Sequence, residues 1–228
     1  MPVKVVGKSK ALDIINFMPT KNYCTIYLVR HGETDWNIKG LVQGHIDVPL
    51  NENGERQAER TAAKLKHVSF DKAFSSDLVR ARKTAEIIAL EKKIAVETTK
   101  ALRERPYGRL EGQNWQENTG ELRFLWSKFA TLTSEEKKKY RLEDVENNEE
   151  LMARFVPFLR EVAVAYAGNT VLVVSHGGIM RAFLIHLGYA SEKTMPSGSI
   201  ENTAYIKLDC DGVDFNVLET EGVNKLND

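Results

Sequence analysis

Hydrophobic positions along the chain gather into short β-rich runs, and segments of helical period separate them. Cys24-Thr-Ile-Tyr-Leu-Val29 is short and almost continuously apolar, the mark of a buried strand. Residues 54–66 (GERQAERTAAKLK) are rich in helix formers. Phe70 to Ser75 predicts a second strand, after which Ser76 and Asp77 offer N-cap oxygens to a helix over LVRARKTAEIIAL. Ile94 to Val96 predicts a short third strand. Residues 149–166 predict a helix that Pro157 should kink or break. Thr170 to Val174 is the clearest strand of all. The helix GGIMRAFLIHL follows it, with Gly188 placed to end it. Ala204 to Leu208 and Phe215 to Leu218 predict a terminal hairpin turning at Asp211-Gly212. Strands alternating with helices in this way predict an α/β fold around a mostly parallel sheet.

Two stretches depart from the alternation. Residues 103–148 are polar and charged, with Trp115, Phe124, Trp126 and Phe129 scattered among them. We read a helical insertion at about 113–150, of the kind that forms lids and substrate walls. Its aromatic rings either pack it against the body or stack on an organic group. Residues 1–22 read as an N-terminal extension to a single domain over 23–228. The extension opens with basic residues, but Asp13 and Asn16 interrupt its apolar part, so no secretory signal is clear.

Composition narrows the function classes. A chain of 228 residues can bury a core without a disulfide or metal staple. No run of 18 apolar residues occurs, so no membrane span is expected. Lys+Arg and Asp+Glu are 32 each, a balance that argues against a nucleic-acid binder or a polybasic membrane-surface protein. It leaves room for a small cationic pocket. Cys24 and Cys210 lie in strand-like runs and read as small buried hydrophobes in a reducing, cytoplasmic compartment. The choice between monomer and homodimer is not readable from the chain.

Two places share a design that carries chemistry. TIYLV runs into Arg30-His31-Gly32-Glu33, and VLVV runs into Ser175-His176-Gly177-Gly178. Ligands of open parallel sheets bind beyond the carboxyl ends of the strands, so both histidines could face one pocket. The glycines would let the backbone approach a ligand closely. Such a pair could hold a metal, attack phosphorus, or simply be buried and hydrogen-bonded. Zinc would want further ligands at motif spacing, and no H-E-x-x-H or C-x-x-C is present. Arg30 favours an anion instead, because guanidinium grips phosphate and repels a cation. Arg80, opening the helix after Ser75-Ser76-Asp77, could be a second clamp. Arg82, two positions on, should face elsewhere.

These blocks carry a resemblance. LVRHGETDWNIKGLVQGHIDVPLNENGERQA, SSDLVRARKTAEII, LRERPYGRLEG and VVSHGGIMRAFL, in that order, resemble the phosphoglycerate-mutase-like branch of the histidine phosphatase superfamily. The resemblance spans roughly Cys24 to Leu218 and leaves out the first 20 residues and much of 113–150. It implies a three-layer α/β/α sandwich. It implies His31 as the nucleophile that becomes phosphohistidine, Arg30 and Arg80 as phosphate ligands, and His176 as the second pocket histidine. It implies Glu104 as proton donor, with Asn37, Gln43 and Gly177 helping to hold the phosphate. It implies a small phosphomonoester as substrate, with neither metal nor cofactor. The attacking imidazole must be neutral, so its other nitrogen should donate, a backbone carbonyl being the natural acceptor. Arg103 and Arg105 beside Glu104 should point elsewhere or, with Arg109, meet a second anionic group on the substrate. The phosphatase form is favoured over the mutase form. The segment Glu111-Gly112-Gln113-Asn114-Trp115 lacks the lysine usual in mutases, and GLVQGHIDVPL and SHGGIMR look phosphatase-like. A catalytically weak binding module is the third reading.

Overall fold

The computed structural model describes residues 23–115, 124, 125, 127, 128, 131–133, 136, 140 and 144–226. The expectations for residues 1–22, for Trp126 and Phe129, and for half of the 113–150 insertion lie outside them. In chain order the elements are β1 (Cys24–Arg30), α1 (Asp35–Ile38), α2 (Glu52–Lys64), β2 (Lys72–Ser76), α3 (Val79–Leu90) and β3 (Val96–Thr99). Then come α4 (Asn148–Ala165), β4 (Thr170–Ser175), α5 (Gly177–His186), β5 (Ile200–Cys210) and β6 (Phe215–Val223). The strands form one sheet in the order β3-β2-β4-β1-β5-β6. The first four run parallel, and β5 and β6 close the sheet in antiparallel fashion.

Side-chain alternation along β1 builds the layers. Cys24, Ile26 and Leu28 meet Leu151, Phe155 and Leu159 of α4 and Ile179 and Phe183 of α5. Tyr27 and Val29 point the other way, toward Ala62 of α2 and Ala81, Ala85 and Ile88 of α3. The fold is therefore a mixed α/β sheet sandwiched between helices, as the alternation predicted. A one-residue slip of β1 would exchange its two sets of neighbours, so the register is strongly specified. Each fully buried side chain of this size contributes about 1.5–3 kcal/mol. Cys24 and Cys210 are register partners across β1 and β5, both buried and both free thiols. Burial pushes the Cys24 thiol up to about 12, which keeps it protonated and inert.

Local chemistry explains where the elements differ from the sequence reading. Pro157 does not break α4, which runs unbroken from its Asn147 and Glu150 capping box. Pro157 and Ala153, whose carbonyl loses its donor, both lie on the exposed face, where water can satisfy that oxygen. Leu151, Phe155 and Leu159 bury the opposite face. Helix α3 is not capped as expected by Asp77. Asp47 Oδ1 accepts from the Val79 N–H at 2.7 Å instead, while Ser76 Oγ accepts from the Leu78 N–H at 3.3 Å. Asp77 grips Arg103 in a two-pronged pair at 2.6 and 2.7 Å. Strand β3 starts at Val96, not Ile94, because its four residues are edge positions with little burial to mark them. Helix α5 ends as expected: Gly188 has φ +73°, its N–H donates to Ile185 O at 3.0 Å, and the Tyr189 N–H donates to Leu184 O at 3.0 Å. The terminal hairpin turns through 211–214, with Asp211 Oδ1 accepting from the Val213 and Asp214 N–H groups. Among the described residues no helix is long and apolar enough to cross a membrane.

Candidate active site

The two His-Gly motifs meet because their strands are parallel neighbours in register. Arg30 pairs with Ser175, and the next residues are His31 and His176. Their ring centroids lie 5.2 Å apart at an interplanar angle of 62°. The His31 N–H donates to Ser175 O at 3.0 Å, tying one strand end to the other. Both imidazoles are almost completely buried, 3% and 1% exposed. His31 Nδ1 lies 2.7 Å from Gly32 O, and a carbonyl can only accept, so Nδ1 carries the proton. The Nε2 lone pair is left free. Burial, followed by the Arg80 and Arg30 charges, holds the His31 pKa well below 6.5. Burial and Arg80 do the same to His176. Both rings are neutral at pH 7.

The two arginines are positioned by backbone carbonyls. Arg30 Nη1 donates to Ile200 O at 2.5 Å. Arg80, in the first turn of α3, is 1% exposed and donates to Gly44 O at 2.7 Å and Ile46 O at 2.9 Å. Burial lowers each guanidinium to about 10, so both remain charged at neutral pH. Arg82 faces away: it is half exposed and approaches Glu86 at 3.6 Å. Among the described residues five buried side-chain polar atoms have no partner: Arg30 Nε, Arg80 Nε, both ring nitrogens of His176, and Gln43 Oε1. Orphaned buried polar groups are rare in folded proteins, and here all five belong to residues lining one cleft. An amide flip would turn Gln43 into another donor at this place.

Glu104 stands at the same cleft, 9% exposed. Its Oε1 accepts from the Arg105 N–H and its Oε2 from the Gly178 N–H, both at 2.8 Å. The glycines make room for this arrangement. A Cβ on Gly178 would stand 2.7 Å from Glu104 Oε1, and one on Gly177 would stand 3.0 Å from Arg30 Nε. Gly32 corrects the sequence reading. Its Cβ would fall 2.4 Å from Gly54 O, so the close approach it permits is to the backbone opening α2, not to a ligand. The cleft has a volume of about 910 Å³, and Asn37, Gln43 and Gly177 line it with the charged set. From the 113–150 segment Leu125, Ser127 and Tyr140 contribute to the wall, as does the half-exposed Trp115.

Several residues that sequence reasoning missed hold this geometry. His45 Nε2 donates to Glu104 O at 2.8 Å. Arg154, on α4, donates to Glu104 O at 3.1 Å and Ala101 O at 2.8 Å while paired with Glu146 at 2.8 and 2.9 Å. Glu111 accepts from the His45 and Tyr107 N–H groups at 2.9 and 3.0 Å, clamping two loops together. His45 and Glu111 lie inside the blocks quoted above without being marked there, Arg154 lies in none of them, and only the third dimension joins the three. Of the arginines near Glu104, Arg103 is taken up by Asp77. Arg105 donates to the Asn148 side chain and lines the cleft, whereas the exposed Arg109 does not line it.

The family model of the histidine phosphatase superfamily (branch 1) matches residues 26–221. The chain belongs to the histidine phosphatase superfamily. It is an enzyme of the phosphatase type, with named phosphatases among its relatives. It is 36% identical over 165 residues to the uncharacterized phosphatase PhoE of Bacillus subtilis, covering 71% of this chain and 76% of the relative. It is 36% identical over 172 residues to a metal-independent phosphoserine phosphatase of Arabidopsis thaliana, covering 73% and 69%. The crystal structure of a phosphoglycerate mutase from Bacillus anthracis superposes with a TM-score of 0.71 at 28% identity, covering 89% of this chain and 94% of that one. Histidine phosphatases and mutases thus both stand near this chain.

Proposed function

We propose that this histidine phosphatase hydrolyses small-molecule phosphomonoesters through a phosphohistidine on His31, with no metal ion taking part. The observation that carries the reading is the set of unpartnered nitrogens on Arg30, Arg80 and His176, residues that line one cleft together with a neutral, tautomer-fixed His31. Two buried guanidiniums repel a cation and demand an anion. A phosphoryl group, with three non-bridging oxygens, answers that demand.

The chemistry then follows from position and charge. His31 Nε2 attacks phosphorus, the N–P bond forms, and the bond to the ester oxygen breaks. Glu104 gives its proton to the departing alkoxide. Gly32 O accepts from Nδ1–H and steadies the positive charge that the ring acquires. Arg30, Arg80, the His176 ring and the N–H of Gly177 at the start of α5 spread the charge on the oxygens. Pre-placed donors of this kind contribute about 2.7–4 kcal/mol each in comparable oxyanion sites. Asn37 on α1 and Gln43 on the loop that follows it hold the same phosphate. Water next attacks phosphorus, Glu104 takes its proton, the N–P bond breaks and inorganic phosphate leaves.

Hydrolysis is favoured over mutase activity because Glu111 to Trp115 carries no lysine to retain a phosphorylated product. A panel of monophosphates assayed for phosphate release decides between them. Release from several compounds is expected. Interconversion of phosphoglycerates without release would replace the reading with a mutase. Binding without turnover would replace it with a binding module.

A further inference from the structure

Strand β5 is irregular where it passes the cleft. Its pairing with β6 loses register between Ile200 and Tyr205. Within that gap Thr203 has φ +58°, a left-handed conformation that β-branched residues rarely adopt. Strain of this sort persists only where the surroundings over-determine it. Here it accompanies two donors aimed at the nucleophile's own backbone. The Thr203 N–H donates to His31 O at 3.3 Å, and Asn202 Nδ2 donates to the same oxygen at 3.1 Å.

Asn202 Nδ2 has a second proton, which it gives to Asn37 Oδ1 at 3.3 Å. The Asn37 oxygen also accepts from the Thr34 N–H and the Thr34 Oγ1–H, each at 3.1 Å. An amide oxygen surrounded by three donors cannot change places with its nitrogen. The NH₂ end of Asn37 is therefore the end left for the cleft that Asn37 lines beside Arg30 and His31.

We infer that Asn202 is a positioning residue: it fixes the Asn37 amide so that its donor end, not its acceptor end, meets the phosphoryl oxygens. The inference rests on the reading of the cleft as a phosphate site. It assigns Asn202 an action through Asn37 rather than a substrate contact of its own. An acceptor at position 202 would draw the Asn37 NH₂ toward itself and turn the carbonyl to the phosphate.

A double-mutant cycle tests this, with inorganic phosphate as competitive inhibitor and its Ki as readout. Asn202→Asp should weaken phosphate by about tenfold or more, the scale of one hydrogen bond to a charged group. In an Asn37→Ala background the same substitution should cost much less. Equal losses in both backgrounds would show that Asn202 acts on phosphate directly or by its charge, and would overturn the inference. An unchanged Ki in Asn202→Asp would overturn it too. If Asn202→Asp does not fold, the cycle is run with Asn202→Ser, which can still accept but no longer spans both oxygens. A wild-type enzyme that inorganic phosphate does not inhibit would instead bring down the phosphate reading of the cleft, and this inference with it.

Discussion

Mild acid should destabilise this fold through its two active-site imidazoles. In the unfolded chain each histidine titrates near its ordinary value of about 6.5. In the fold, burial and the Arg80 charge hold His31 and His176 well below that value. Below pH 6.5 the unfolded chain therefore binds two protons that the folded chain refuses. The stabilising contribution is complete above the unfolded pKa and is lost as pH falls, until the folded-state values are reached. At pH 5.5 the loss can reach about 1.4 kcal/mol for each ring and about 2.8 kcal/mol for the pair, the ceiling set by the unfolded-state value. For a chain of this size that corresponds to a fall of about 6–11 °C in Tm. Urea unfolding at pH 7.5 and 5.5 should be compared for the wild type and for the His31→Asn, His176→Asn double variant. The other titrating groups are common to both proteins, so the difference isolates the two rings. The double variant should lose less between these pH values, by up to about 2.8 kcal/mol. An equal loss in the two proteins would refute the claim that the folded imidazoles stay neutral.

Three further outcomes follow from the same geometry. Gly178→Ala places a methyl group 2.7 Å from the Glu104 carboxylate and should lower kcat on the order of 100-fold with phosphate inhibition intact; wild-type turnover would remove Glu104 from the proposed role. Arg80→Ala should cost about 10²–10³ in kcat/KM, whereas Arg82→Ala, on the solvent side of the same helix, should stay within about twofold; equal losses would mean the wrong arginine has been placed in the cleft. Turnover should survive EDTA in full, and a loss restored by Mg²⁺ would contradict the metal-free scheme.

The parts of this molecule that the chain announces are those whose cause is local. β1 and β4 are buried on both faces, so their apolar runs stand out, and each ends in a His-Gly pair that must lie at a strand terminus. Helix α5 carries its own stop at Gly188. What stayed hidden depends on partners far along the chain. Asp47 caps a helix that begins at Val79, and Arg154 reaches from α4 to the carbonyl of Glu104. Neither contact leaves a period or a motif. Gly32 and Gly54 touch backbone to backbone, a packing demand that looks in sequence like a ligand loop. Helix α1 has four residues, too few for any periodicity, and the Thr34 and Asn37 capping pair that makes it also commits the Asn37 side chain. The pocket itself is the product of sheet order: His31 and His176 meet because β4 lies beside β1, and nothing in either strand alone says so.

In the proposed mechanism the uncharged ring of His31 takes phosphorus into a covalent bond. Rapid acid-free quenching of the enzyme during turnover of a ³²P-labelled monoester gives the most direct test. Label is expected on the polypeptide that survives alkali, is released by acid, and maps to the peptide carrying His31, with none in His31→Ala. Turnover with no label on the polypeptide, or label and turnover undiminished in His31→Ala, would contradict it.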